Sequence, residues 1–447
     1  MINERKAFNL LSLIVSSLIV SSCAIRDLGK NNEMIDENYG IYRGQVSGVD
    51  QGSNVVVGLF KRDGKKLTYA GIRSVSPGDR INMLVRDKDA SYTVMAYLDS
   101  NGDFAYQSDE SKSAARIDDP EIHWASDRDK DLDCPDYESM KIEQIDLTGK
   151  EKLDWPRKAP EIRNFLETIS LDDDERFSDE NVKLGLWQPF VFETEIGYGL
   201  YVLKDFDPTK NSIVLVHGIS DSPRVFKSVV EAIEAIPDDY QVLMFHYPSA
   251  VSLDYTSYIL SAALNEVIRR SQIPQLDIIA HSMGGLVSKG MILQSSAELR
   301  QSMRLFISIA TPYGGHAGAQ AGLDWSPNVA RVWCAMAPNS SYVQEIAALD
   351  LSEGPKHHLI FSFSHEADGK SKGDDGVVTV KSQLDESAQH NATAIYGIAD
   401  NHGGAVRNSC TLKRLKAILQ DGSTRVSVPN CGAADASPDN PDTAPVD

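Results

Sequence analysis

The stretch from residue 276 to residue 293 constrains this chain more than any other. Leu276-Asp-Ile-Ile-Ala280 is apolar and strand-like, it runs without a spacer into His281-Ser282-Met283-Gly284-Gly285, and an amphipathic segment follows at once. A strand that turns directly into a helix around a serine holds that serine on a strained turn with its hydroxyl exposed, so its flanks must be small. Ala280 and Gly284, two residues before and two after Ser282, meet that need, although a glycine is the usual residue at the first position. The helix N-terminus behind Ser282 aims amide dipoles at the same point and favours negative charge developing there. Ser282 is the candidate nucleophile.

From Pro208 onward, apolar runs alternate with longer amphipathic segments: 212–217 then 225–236, 240–245 then 254–270, 276–280 then 283–293, and 305–310. That alternation predicts an α/β fold, a mainly parallel sheet flanked by helices on both faces. Chemistry in such sheets lies at the C-terminal ends of the strands. A tetrahedral intermediate needs two backbone donors, one from the residue after the nucleophile and one from the loop after an earlier strand. Met283 and Ile219, the latter following Val216-His217-Gly218, are the candidate oxyanion-hole residues. His217 at that strand end reads as structural, a ring that holds the loop by hydrogen bonds.

Five strings carry a family resemblance: Val-His-Gly-Ile (216–219), Phe-His-Tyr-Pro-Ser (245–249), Ala-His-Ser-Met-Gly-Gly-Leu-Val (280–287), Ser-Ile-Ala-Thr-Pro-Tyr-Gly-Gly (308–315) and Asp-Gly-Val-Val (375–378). With them, residues 187–420 resemble an α/β-hydrolase of the lipase and esterase type, about half the chain with the motifs in the right order. The resemblance implies the order Ser, acid, His. It points to Asp375, directly before Gly-Val-Val, as the acid, with Asp374 and Asp368 as alternatives. It points to His402, in Asp-Asn-His-Gly-Gly after the strand at 392–398, as the base in preference to His390, which precedes that strand. The implied activity is carboxylic ester hydrolysis through an acyl-enzyme, with no cofactor and no metal; acyl transfer or phospholipid cleavage uses the same three residues. A non-catalytic surface-binding lipoprotein is the other class, but it would be expected to lack one of the three. Residues 316–350 are Ala-rich, with Trp325, Val329, Trp333 and Met336 near helical spacing, and read either as a lid over an acyl pocket or as a helix pair packed on the domain.

Upstream, a charged start, an apolar stretch and Val20-Ser21-Ser22-Cys23 read as a signal peptide over residues 1–22. The string resembles a bacterial lipobox, which implies acylation of Cys23 and a lipid-anchored protein of the cell envelope; Ala24 after it favours the outer membrane. Residues 23–39 then read as a polar tether, 40–106 as a small all-β sandwich-like domain, 107–186 as an acidic connector with some helix near 161–169, 187–420 as the catalytic domain, and 421–447 as a C-terminal tail, disordered at its end. The short alternating runs at 54–60, 65–72, 80–85 and 92–98, with Asp-Gly, Pro-Gly and Asn-Gly turns between them, support the sandwich. The strand-turn from Tyr92 to Tyr106 resembles transthyretin-like and carboxypeptidase-regulatory-like modules. Its Asp99, Asn101 and Asp103 depart from calcium-loop spacing and read as a plain turn. Residues 190–195 and 199–203 are expected to form a hairpin. With 44 Lys and Arg against 64 Asp and Glu in 447 residues, a net charge of −20, the chain offers no basic surface for nucleic acid. The expected partners are an acyl ester or lipid substrate and, through acylated Cys23, a membrane; the oligomeric state is left open. Outside the cytoplasm Cys134, Cys334, Cys410 and Cys431 can pair, and three connectivities stay open.

Overall fold

The computed structural model describes residues 22–50, 52–78, 80–101, 105–107, 109–124, 134, 140–156, 165–236, 240–271, 273–365, 373–422, 424–428 and 431. Residues 1–21 of the expected signal peptide, Asp103, Asp368 and the end of the C-terminal tail lie outside the described residues.

The chain enters as a helix, α1 (Ser22–Asn38). Residues 23–38 of the segment read as a polar tether are therefore helical. Leu28, Asn31 and Ile35 share one face at helical spacing, and all three are buried. Leu28 joins a core cluster with Leu186, Leu200 and Val214, and Asn31 Oδ1 accepts from the amides of Phe190 and Val191.

Two four-stranded sheets follow. In one, β1 (Tyr39–Ser47) lies at the centre; in the other, β2 (Val55–Asp63) pairs with β3 (Lys66–Val75). Next come β4 (Arg80–Arg86), antiparallel to β1, and β5 (Ser91–Leu98), antiparallel to β2. The alternating runs read from the sequence are these strands. Three further strands lie in the segment expected to be a connector: β6 (Ala114–Asp118) pairs with β5, while β7 (Ile122–Trp124) and β8 (Glu143–Asp146) pair with β1. They are short and of mixed composition, and their partners rather than their own pattern make them strands. The link between β5 and β6 is no plain hairpin turn, because the buried Glu110 carboxylate folds it back by accepting from the amides of Ser100 and Gln107. One sandwich core lies around Tyr42, Val57, Leu59, Met83 and Val94, and Trp155 caps a second cluster edge-on against Phe60 and Tyr97.

The larger sheet opens with β9 (Phe165–Thr168), a strand where a helix was expected, and α2 (Asp179–Trp187) follows, which Ser178 caps through the amide of Asn181. The expected hairpin forms only in its second half. Residues 189–196 are helical, including a π-turn at Phe192–Ile196, and only β10 (Gly199–Val202) is extended. Pro189 starts that turn and Gly197, at φ 82°, ends it. Then come β11 (Asn211–Val216), α3 (Lys227–Glu234), β12 (Tyr240–His246), α4 (Leu253–Ser271), β13 (Leu276–His281), α5 (Met283–Leu293), α6 (Ala297–Ser302) and β14 (Met303–Ile309). The helices α7 (Ala317–Trp325), α8 (Arg331–Met336) and α9 (Ser341–Ala347) lead to β15 (Lys356–Phe363), β16 (Ala392–Ala399) and α10 (Ser409–Asp421).

Eight strands form one sheet in the order β16-β15-β14-β13-β11-β12-β10-β9. From β16 to β12 all neighbours are parallel, and β10 runs antiparallel to β12. One face buries α4 and α5 and the other α3 and α10. After β11 the chain steps to β12 on one side, then returns to β13 on the other. Open parallel sheets place their crevice at such a switch point, and both loops of interest leave from it. Two disulfides, Cys134–Cys334 and Cys410–Cys431, select one of the three possible connectivities.

Candidate active site

Ser282 stands between β13 and α5 with φ 54° and ψ −129°, a conformation that non-glycine residues avoid. Its amide donates to Ile309 O at 2.8 Å and its carbonyl accepts from Gly285, so the turn is tied on both sides. The two glycines after it are steric requirements. A Cβ on Gly284 would lie 2.2 Å from Val216 O, and one on Gly285 would lie 2.0 Å from Thr311 Oγ1. They let the start of α5 press against β11 and against the loop after β14. The first amide of a helix has no intrahelical acceptor, which leaves the Met283 N–H available at the turn.

The loop after β11 lies against the serine: a Cβ on Gly218 would meet Ser282 Cβ at 2.9 Å. His217 is fully buried, and burial pushes its pKa down to about 4, so the ring is neutral at ordinary pH. Its Nδ1–H donates to Gly218 O at 2.9 Å, and its ring stacks on Tyr247 at 4.2 Å. Tyr247 donates in turn to His217 O, and Ser249 Oγ accepts from the amide of Ser220, whose φ is 54°. The Ile219 amide, between these anchors, donates to no acceptor among the described residues. Tyr247 and Ser249 had been legible only as part of a resembling string, without a role.

Asp375 and His402 come together from the loops after β15 and β16. His402 Nδ1–H donates to Asp375 Oδ2 at 2.8 Å, with the carboxylate fully buried and the ring 12% exposed. The His402 amide also donates to Asp375 O at 3.0 Å, which locks the two loops at main-chain level. Burial pushes the Asp375 pKa up, but hydrogen bonds from His402, Ser362 and the Val378 amide outweigh it and hold it below the usual carboxylate range. Ser362 Oγ donates to Oδ2 at 2.5 Å, Gln383 Nε2 to Oδ2 at 3.2 Å, and the Val377 and Val378 amides to Oδ1. Ser362 and Gln383 were missed because nothing local in the sequence marks them. Asp374 accepts instead from the amide of Gly376 within its own turn. His390 lies at the far end of β16, in the turn Glu386–His390 that precedes it. With Nδ1 donating, a neutral His402 keeps Nε2 as an acceptor. The Ser282 hydroxyl has no hydrogen-bond partner among the described residues, a looseness usual in unliganded sites.

Two more groups adjoin His402. His281 Nε2–H donates to His402 O at 3.2 Å, and burial and the neighbouring His402 push the His281 pKa down to about 3. Burial pushes the Asp221 carboxyl up to about 6, with the Ser222 amide and the charges of His402 and Arg407 pulling it back. Among the described residues no group of three or more His, Cys, Asp or Glu could hold a metal ion, and no helix is long and apolar enough to cross a membrane.

A strained serine between strand and helix, a loop from the neighbouring strand against it, and an Asp–His pair from the two strands beyond complete the pattern. The fold is that of an α/β-hydrolase. Residues 209–338 match the family described as "Putative serine esterase (DUF676)". That segment, less than a third of the chain, includes Ser282 and Ile219 and stops before Asp375 and His402. No curated protein matches the chain. Among solved structures the chain is similar to the mature Bacillus licheniformis lipase BlEst2, at 14% identity over 49% of this chain and 96% of that one, with a TM-score of 0.39. Others include the phospholipase PlaB of Legionella pneumophila, at 15% over 39% of this chain and 45% of that one with a TM-score of 0.33. Lipase B of Aspergillus fumigatus stands at 14% over 49% of this chain and 55% of that one, with a TM-score of 0.35.

Around the site, the segment expected as lid or packed helices is fastened at several points. Tyr342 of α9 donates to Leu286 O on α5; α8 carries Cys334 of one disulfide and Arg331, which pairs with Asp36 of α1. His316, before α7, donates from Nε2 to Val377 O in the acid loop. Trp325, at the end of α7, is 82% exposed.

Proposed function

We propose that this protein is a serine carboxylic ester hydrolase of the lipase and esterase type, with Ser282 as nucleophile, His402 as base and Asp375 as the acid that orients it. The Asp375–His402 pair at 2.8 Å, on the side of the sheet where the strained Ser282 turn lies, is the observation that carries this reading. Ser282 Oγ attacks the acyl carbon while His402 Nε2 takes its proton, and the Met283 and Ile219 amides hold the oxyanion. Collapse expels the alkoxide, which takes the proton back from His402. Water then enters by the same route and releases the acid, freeing Ser282. The buried Asp375 carboxylate stabilises the imidazolium formed in both steps. The mature protein would be held in the cell envelope by acylated Cys23, at the start of α1.

A fluorophosphonate probe should label wild-type protein at Ser282, and Ser282→Ala should fold normally, take no label and lose release of a chromogenic ester by 10³-fold or more, on the order seen when a triad nucleophile is removed. Turnover retained in that variant would refute the assignment. A rate profile across short-chain, long-chain and phospholipid esters would define the substrate, and a strict preference for acetate would contradict the lipase side of the reading.

A further inference from the structure

Between the sandwich and the catalytic domain, β3 and α4 leave a cleft of about 610 Å³, within the size of small-molecule sites. Tyr69, Ile72 and Leu84 face it from one side, and Tyr258, Ile259 and Ala263 from the other. Ser282, Asp375 and His402 are not among its lining residues. Three cations are: Lys61, Arg73 and Arg86. Lys61 pairs with Asp87 and Arg86 with Glu193. Arg73 pairs with no carboxylate among the described residues, neither Asp87 nor the other lining carboxylate, Glu266. Arg73 is 5% exposed, its guanidinium carbon lies 3.6 Å from the centroid of the Tyr258 ring, and its Nη1 donates no hydrogen bond. Burial pulls its pKa below the ordinary guanidinium value, and Tyr258 pulls it back up.

An unpaired buried charge costs a folded protein stability unless something partners it. Placing that charge in the wall of an apolar cleft provides both halves of a recognition site, an anion hole and a surface for a chain. We propose that the cleft binds a single-chain anionic amphiphile, its carboxylate or phosphate head on Arg73 and its apolar chain between Ile72 of β3 and Ile259 and Ala263 of α4. Arg is suited to both heads through its fork of donors. The site would be distinct from the ester-cleaving one and would read lipid chemistry at the seam of the two domains.

Calorimetric titration of the full chain with dodecanoate, dodecyl phosphate, dodecanol and inorganic phosphate, each amphiphile below its micellar concentration, tests this. One equivalent of dodecanoate or of dodecyl phosphate should bind, and whichever is tighter identifies the head. Arg73→Met should weaken that binding at least tenfold while raising the Tm of ligand-free protein, because it removes the unpaired charge. Ser282→Ala should bind as wild type does, which separates the cleft from the catalytic serine whether or not ester hydrolysis is the activity. Should Arg73→Met fail to fold, Ala263→Phe, which fills the cleft and keeps Arg73, should abolish binding. No binding by wild type, equal binding of dodecanol, equal binding of phosphate alone, or undiminished binding by the variants would each overturn the proposal and leave Arg73 as a brace against Tyr258.

Discussion

Asp221 is the residue whose titration should be visible from outside. Burial favours its protonated form, so the folded state holds that proton up to about pH 6, against 3.8 for the ordinary group. The corresponding stability is full below the ordinary value and is lost as pH rises through about 6, a difference on the order of 3 kcal/mol. Asp221→Asn, which keeps an acceptor for the Ser222 amide, should match wild type in Tm near pH 4 and exceed it near pH 8. A Tm difference independent of pH would show that Asp221 is not buried in solution. None of this was legible beforehand: Asp221 stood in a quoted loop, but its surroundings come from Tyr247, His402 and Arg407, each on a different segment.

At the scale of elements, the join of β13 to α5 is where sequence and structure agree most closely. Gly284→Ala would push a methyl into the backbone oxygens of Val216 and His217, which cannot move without displacing β11. We expect a loss of about 3 kcal/mol or more, at the upper end for overpacking, with reduced labelling of Ser282. Gly403→Ala, next to His402 but with nothing within 4 Å of the added carbon, should stay within about 0.5 kcal/mol of wild type. Denaturant unfolding of the two variants measures the contrast, and equal losses would mean that contact with β11 does not set the cost. The strands of the parallel sheet were readable because each is an apolar run of five to eight residues bounded by polar turns. Strands β6, β7 and β8 were not, because three to five charged and mixed residues carry no period, and β1 and β5 supply their hydrogen bonds.

The whole molecule is held by contacts that join its two parts. Tyr258 of α4 belongs to the sandwich core, Glu193 takes Tyr39, Arg86 and Tyr255 together, and α1 crosses onto α8 through Asp36 and Arg331. The Cys134–Cys334 bridge, across 200 residues, closes a far longer loop than Cys410–Cys431, across 21. By chain entropy the first contributes about 5 kcal/mol and the second about 3. Replacing Cys134 and Cys334 by Ser should therefore destabilise the protein more than replacing Cys410 and Cys431, as read by chemical denaturation of the oxidised protein. The reverse order would mean that residues around Cys134 are already restrained when unfolded.

Residue order alone marks the parallel sheet, the turn at Ser282, the loop after β11 and the short list from which acid and base had to come. Each is a local pattern, written in the few residues that adopt it. Packing adds that Asp375 rather than Asp374 meets His402, that His217 is held neutral under Tyr247, that Cys134 pairs with Cys334, and that residues 22–38 dock as a helix. Those outcomes depend on which surfaces meet across tens to hundreds of residues, and burial, charge and hydrogen-bond partners exist only once they have met.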